Sequence, residues 1–331
     1  MLKLIKQYKK LLIILSFPYL YILFVLVAPT QQAVIAPGGL TQVVDTIEIE
    51  GYDIVDNFNT IYVYSYYPIT PFQSWVLEID QSMDVYQMTT RQKDVSWKDE
   101  YAQGQVSKHV SLKTSVIKAF ELAHESNTEI DISYHYEGLY VYYRPSRISE
   151  FEIGDQIVSI NGHNYFDYTH EEFLDFAYEP EVTFSIKHSD GDGVTFTNVN
   201  YVYDENDPYM IFYPNYVIDS ATPSFELPGL DSIVGGPSGG LIQTLSIYVS
   251  LVNINIGDAK IAGTGTIEMS GEVGRIGGIT QKMYTAIYNK VDFMFIPKSH
   301  YSEIPNLDYK YIIIPVETVE EAVLWLNEQF N

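Results

Sequence analysis

Gly271-Glu-Val-Gly-Arg-Ile-Gly-Gly-Ile-Thr-Gln-Lys-Met-Tyr-Thr-Ala286 is the stretch on which the reading of this chain turns. A glycine pair ends a turn, and the pattern from Thr280 to Lys290 predicts a helix whose first turn carries Lys282. Lysine acts as a general base only when neutral, so its pKa must fall several units from ~10.4. Burial does this, and a place near a helix N-terminus adds to it, because the dipole there disfavours positive charge. Ile276, Ile279 and Met283 are the expected apolar walls. Standing alone, a helix lysine is ordinarily solvated.

Upstream lies Gly235-Gly-Pro-Ser-Gly-Gly240, a flexible loop feeding a helix with Leu241, Leu245, Tyr248, Val249 and Val252 on one side. Glycines let the backbone turn sharply and approach a ligand. A serine where free N–H groups converge suits a nucleophile whose reaction creates an oxyanion. Serine needs a base to be that nucleophile. Taken singly, the loop is equally a tight turn before a helix.

Together the two motifs resemble the proteolytic domain of Lon-type proteases: Gly-Pro-Ser-Gly-Gly, then Thr264-Gly-Thr-Ile-x-x-x-Gly-Glu-Val-x-x-Ile-Gly-Gly-Ile-x-x-Lys282. The order continues through Phe295-Ile-Pro297 and Ile314-Pro-Val316 to a closing helix, across residues 230–326. The chain most resembles the membrane-anchored, PDZ-containing Lon-like proteases that lack the ATPase. The resemblance implies a catalytic Ser238, its base Lys282, and a threonine beside the dyad at Thr264. One departure is Gly239, where the family usually has alanine. Ring-forming Lon also implies a homo-oligomer.

The segment from Asp131 to about Asn200 reads as short strands with glycine turns. Gly154-Asp-Gln-Ile-Val-Ser-Ile-Asn-Gly162 resembles the PDZ turn, and Gly138-Leu139-Tyr140-Val141 stands where a PDZ carboxylate-binding loop would be. That resemblance implies peptide recruitment by strand addition at Gly138–Val141. Thr169 to Ala177 reads as a helix, and Ser189-Asp-Gly-Asp-Gly193 as a turn. Thr60-Ile-Tyr-Val-Tyr-Ser-Tyr66 reads as a strand. Val116, Ile117, Phe120 and Ala123 read as the core face of a helix around Ser111–His124.

At the N-terminus, Lys3, Lys6, Lys9 and Lys10 precede an apolar run from Leu11 to Ala28, near the lower length limit for crossing a hydrocarbon core. Basic residues before the run predict a cytoplasmic N-terminus and an external body. Leu26 and Pro29 make Ala28 a poor cleavage site, which favours a retained anchor over a signal peptide. Residues 31–45, with Pro37-Gly38-Gly39, read as a linker leaving the membrane.

The formal net charge is −24. Such a body repels phosphate backbones and excludes nucleic acid as a partner. Cysteine is absent, which removes disulfides, thiolate metal sites and a cysteine nucleophile. The sequence contains no G-x-x-x-x-G-K-[ST] loop and no H-E-x-x-H spacing, so neither an ATPase of that kind, a metal nor a cofactor is expected.

The expected fold class is α+β: a Lon-like proteolytic domain of mixed α/β type, an inserted PDZ domain and an N-terminal transmembrane helix. The expected divisions are 1–30 (anchor), 31–125 (linker and first part of the protease), 126–204 (PDZ) and 205–331 (catalytic). The expected partners are a peptide or protein substrate and the membrane. The rival reading is a non-catalytic PDZ scaffold with an inactive protease fold. A secreted soluble protease differs only in the fate of Ala28.

Overall fold

A computed structural model describes residues 7–190, 193–204, 209–231 and 235–330. Lys3 and Lys6, and Gly191 and Asp192 of the expected turn, lie outside the described residues.

The chain opens with α1 (Lys9–Val27), long and apolar enough to cross a membrane and not buried against the rest of the molecule. Next come β1 (Gln32–Gln42), β2 (Glu48–Ile49), β3 (Phe58–Tyr66), α2 (Pro71–Leu77), β4 (Asp84–Gln87), α3 (Thr90–Asp94) and α4 (Trp97–Ser126). A second group follows: β5 (Asp131–Tyr143), β6 (Gln156–Ile160), β7 (His163–Asn164), α5 (His170–Phe176), β8 (Glu181–Asp190), β9 (Gly193–Val202) and β10 (Ile211–Thr222). The last part comprises β11 (Phe225–Glu226), α6 (Gly240–Val252), β12 (Ile261–Gly263), β13 (Thr266–Ile267), β14 (Val273–Gly274), α7 (Ile279–Tyr288), β15 (Phe293–Pro297), β16 (Ile312–Val316) and α8 (Val319–Phe330).

Two six-stranded sheets carry the molecule. The first has the order β16-β15-β12-β3-β1-β4, with β16, β15, β12 and β3 parallel and β1 and β4 antiparallel additions. Three of its parallel strands, β12, β15 and β16, are short and apolar, in keeping with a sheet covered on both faces. Side chains alternate with period two: Phe58, Ile261, Phe295 and Ile314 face a core shared with α4, α6 and α8. Ile61, Ala262, Met294 and Ile296 face the opposite core with Ile279, Met283 and Ala286 of α7. The sheet therefore separates α6 from α7.

The second sheet, β10-β5-β6-β8-β9 with β7 on β6, lies in the chain between β4 and β12 of the first. It has its own core, including Leu139, Val141, Phe151, Phe173 and Phe184.

Three expectations need correction. Residues 32–42 are a strand rather than a linker, paired on both edges by β3 and β4. Pro37 and Gly38 form a bulge in it, and Gly38 lies so close to the Tyr62 carbonyl that a Cβ would not fit. The second sheet runs past residue 204, because β10 pairs along nearly the whole of β5. Finally, Gly138–Val141 has no free edge: β10 occupies one side of Leu139 and Tyr140, and β6 the other. Leu139 and Val141 are fully buried. A peptide has no room to add there as a strand.

Candidate active site

β12 is only three residues long, and its register with β3 ends where Gly263 meets Thr60. Beyond that point the sheet is open between its two covered faces. Thr264 follows directly, its amide tied to the Phe295 carbonyl at 3.0 Å. The end of a parallel strand is where α/β proteins place their chemistry, and elements from both faces meet here.

From one face comes Ser238, two residues before α6 begins. Its carbonyl accepts from the Gly265 amide at 2.8 Å and from the Thr264 hydroxyl at 3.1 Å. Helix α4 fixes the same loop: the Ser111 hydroxyl donates to the Pro237 carbonyl at 3.1 Å, and Ser115 to Gly240 at 3.0 Å. The Gly236 amide donates to the Gly104 carbonyl at 3.2 Å. Gly235 approaches Gly104 so closely that an added Cβ would lie 2.9 Å from its Cα. The bonds from α4 are what hold a glycine-rich segment in one shape.

From the other face comes Lys282, the fourth residue of α7, only 2% exposed. Its Nζ lies 2.8 Å from Ser238 Oγ and 2.7 Å from Thr264 Oγ1. Ile279 and Met283 are buried in the adjacent core and Ile276 packs against it, so the anticipated apolar walls are present. Burial lowers the Lys282 pKa to about 7. A neutral amine has one lone pair and two N–H groups. Since the Thr264 hydroxyl donates to the Ser238 carbonyl, its oxygen accepts from Nζ. With one N–H so engaged, the neutral amine has a lone pair available to accept from Ser238 Oγ, 2.8 Å away.

The dyad opens into a groove of about 570 Å³ bordered by β3, the 235–239 loop and Gly277. From Ile61 to Tyr66, β3 is paired with β1 on one edge, and its other edge has no strand partner among the described residues. That edge faces the groove. The Gly240 amide is bonded to the Pro237 carbonyl and the Leu241 amide to Gly265. The Ser238 and Gly239 amides have no protein acceptor among the described residues.

The structure thus brings Ser238, Lys282 and Thr264 together, and keeps Gly138, Leu139, Tyr140 and Val141 in another sheet. Thr60 was missed from sequence. Its methyl would be 3.0 Å from a Cβ at residue 239, so the glycine that departs from the family pattern matches a threonine across the groove. Gly239 itself has φ −90°, which any residue adopts. The strand at 60–66 was legible, but nothing local says that it borders the serine.

Residues 228–326 match the Lon protease (S16) C-terminal proteolytic domain family. A Lon protease of Neorickettsia sennetsu is 32% identical over 99 residues, 28% of this chain and 12% of that protein. A Lon protease of Xanthomonas oryzae is 30% identical over 112 residues, 33% of this chain and 12% of that protein. An archaeal Lon protease of Thermoplasma acidophilum is 30% identical over 94 residues, 27% of this chain and 14% of that protein. The similarity covers a small part of each relative, and it falls on the segment that carries Ser238, Thr264 and Lys282. It supports a serine peptidase, a hydrolase.

Proposed function

We propose that this protein is a serine endopeptidase whose nucleophile is Ser238 and whose general base is Lys282, hydrolysing its substrate in a reaction that needs no ATP. The observation that carries the reading is a buried Lys282 Nζ 2.8 Å from Ser238 Oγ beside the free edge of β3. A substrate segment adds to that edge in extended form, its scissile carbonyl above Ser238. Ser238 Oγ attacks the carbonyl carbon while its proton passes to Nζ. The Ser238 and Gly239 amides are placed to receive the oxyanion. Collapse breaks the C–N bond, and Lys282 returns the proton to the departing amine. Lys282 Nζ then takes a proton from water, whose oxygen attacks the acyl carbon; the acyl C–Oγ bond breaks, and Nζ returns the proton to Ser238 Oγ. An edge that accepts only extended chain selects flexible segments over folded domains.

In this reading α1 is a retained anchor and the body lies outside the membrane, as the basic residues before the apolar run and the poor cleavage site at Ala28 support. Residues 131–222 form a PDZ-like insertion, supported by the Gly154–Gly162 pattern, which delivers β6 and closes on positive-φ Asn161 and Gly162.

The test is cleavage of an unstructured polypeptide by the full chain in detergent. Wild type should cut it, and Ser238→Ala should reduce the rate at least about a thousandfold while keeping the fold. Undiminished cleavage by Ser238→Ala would overturn the reading.

A further inference from the structure

Two of the chain's three tryptophans sit in solvent: Trp75 is 65% exposed and Trp97 is 81% exposed. Trp75 belongs to α2, which also exposes Phe72, Val76 and, just past its end, Ile79. Placing such residues in water gains nothing, and a short helix with one apolar aromatic face suits a lipid–water interface. The position of α2 in the fold agrees. It touches α1, the apolar helix, and the chain entering it is stitched to the exit of α1. The Thr30 amide and hydroxyl both bond the Ile69 carbonyl, at 2.9 and 2.7 Å, and the Ile69 amide bonds Gln32 at 3.0 Å. Where α1 leaves a bilayer, α2 is held at that surface.

The end of β3 is there too. Tyr66, opposite Val34 near the start of β1, is the last residue of β3 and 56% exposed. The active-site groove borders β3 up to Ser65. A neighbouring cavity of about 410 Å³ continues past Ser65, Tyr67 and Tyr101. A third, of about 360 Å³, ends at Tyr66 and the stacked pair Trp97–Tyr101. These form one path from Ser238 to the exposed aromatic cluster. Thr60, which packs on Gly239, is six residues from Tyr66, and at ~3.3 Å per residue the span is roughly 20 Å.

We propose that the α2 face formed by Phe72, Trp75, Val76 and Ile79 rests in the lipid interface, so that the β3 groove opens at the membrane. The enzyme then cuts extended segments at a fixed distance, about six residues, from where they leave the bilayer. The proposal rests on the reading of Ser238 as nucleophile and of α1 as anchor, and it adds a substrate class: juxtamembrane segments of membrane-spanning proteins. The other occupant of such a face, a second copy of this chain, is an outcome of the test.

The experiment uses the full chain in phosphatidylcholine–phosphatidylglycerol vesicles, together with a single-span peptide bearing a flexible external tail. Cut sites are mapped by mass spectrometry as flexible residues are inserted between span and tail. The expected result is a cut that stays about six residues from the span whatever the insertion. Trp75→Ser with Ile79→Ser, both outside the groove, should spread the cuts over the tail and lower the rate on this peptide roughly tenfold. The same variant should leave cleavage of a soluble unstructured polypeptide unchanged. Brominated lipid should quench tryptophan emission in the wild type, and less in Trp75→Ser. A cut that moves with the inserted sequence, or a cross-linked dimer through Trp75 with no lipid quenching, overturns the proposal. Loss of the protease reading registers separately, as soluble cleavage that survives Ser238→Ala.

Discussion

At the residue scale the proposed chemistry rests on one charge that burial disfavours. Lys282 has a pKa of about 7 because its amine is desolvated. Its neutral fraction grows as pH rises through that value, so kcat/KM should climb from pH 6 to 8 with a midpoint near 7. A rise that disappears on replacing any one histidine, His300 for example, would place the base elsewhere. The same depression has a stability consequence of fixed sign. The unfolded chain binds this proton more tightly than the folded one. The penalty is therefore full below about pH 7 and is relieved as pH rises toward ~10.4. Lys282→Met removes it, and should stabilise the fold at pH 6–7 by an amount on the order of a few kcal/mol, read from denaturant midpoints, while abolishing activity. A Lys282→Met protein less stable than wild type at pH 6 would contradict that placement of the lysine. Ser238 and Lys282 were legible in the sequence because two linked motifs carry them; Thr60 was not, because its role exists only once β12 stops after three residues.

Among the elements, α4 does most to hold the site, and it was the most incompletely read. The sequence showed a helix from about Ser111, on the recurrence of Val116, Ile117, Phe120 and Ala123. The helix in fact begins at Trp97. Its first half, residues 97–111, buries Gln103, Ser107, Lys108 and Ser111 rather than large apolar residues, so hydrophobic periodicity passes over it. Ser111 and Ser115, with Gly104, are the ones that grip the 235–240 loop. Gly235→Val should therefore push the loop off α4 and lower kcat about tenfold or more. Its melting temperature should stay within a few degrees, since the residue is exposed and outside the cores. An unchanged kcat would mean that the loop is set by Thr264 and Gly265 alone. The opposite misreading befell β1, where Pro37-Gly38-Gly39 signals a break. Long-range pairing with β3 and β4 outweighs that local signal and turns the glycines into a bulge.

For the whole molecule, the dyad depends on the sheet keeping α6 and α7 on opposite faces and ending early enough for their side chains to meet. The order of motifs announced the mixed α/β body, and the turn at Gly154–Gly162 announced a separate module. That module's true extent, and the loss of its Gly138–Val141 edge, follow from β10 returning to pair with β5. No local pattern encodes a pairing between segments some 80 residues apart. With α1 as anchor, protease added to intact cells with outer barriers opened should digest the region after Gln31, and protection until lysis would reverse the orientation. The central claim is that Ser238 and Lys282 act as one unit, and a double-mutant cycle measures it most directly: kcat/KM on an unstructured polypeptide for Ser238→Ala, Lys282→Ala and the pair, each checked for its fold. The two single losses should each equal the loss in the double variant, about a thousandfold or more. Near-normal turnover in well-folded Lys282→Ala, or losses that multiply in the double variant, would contradict the account.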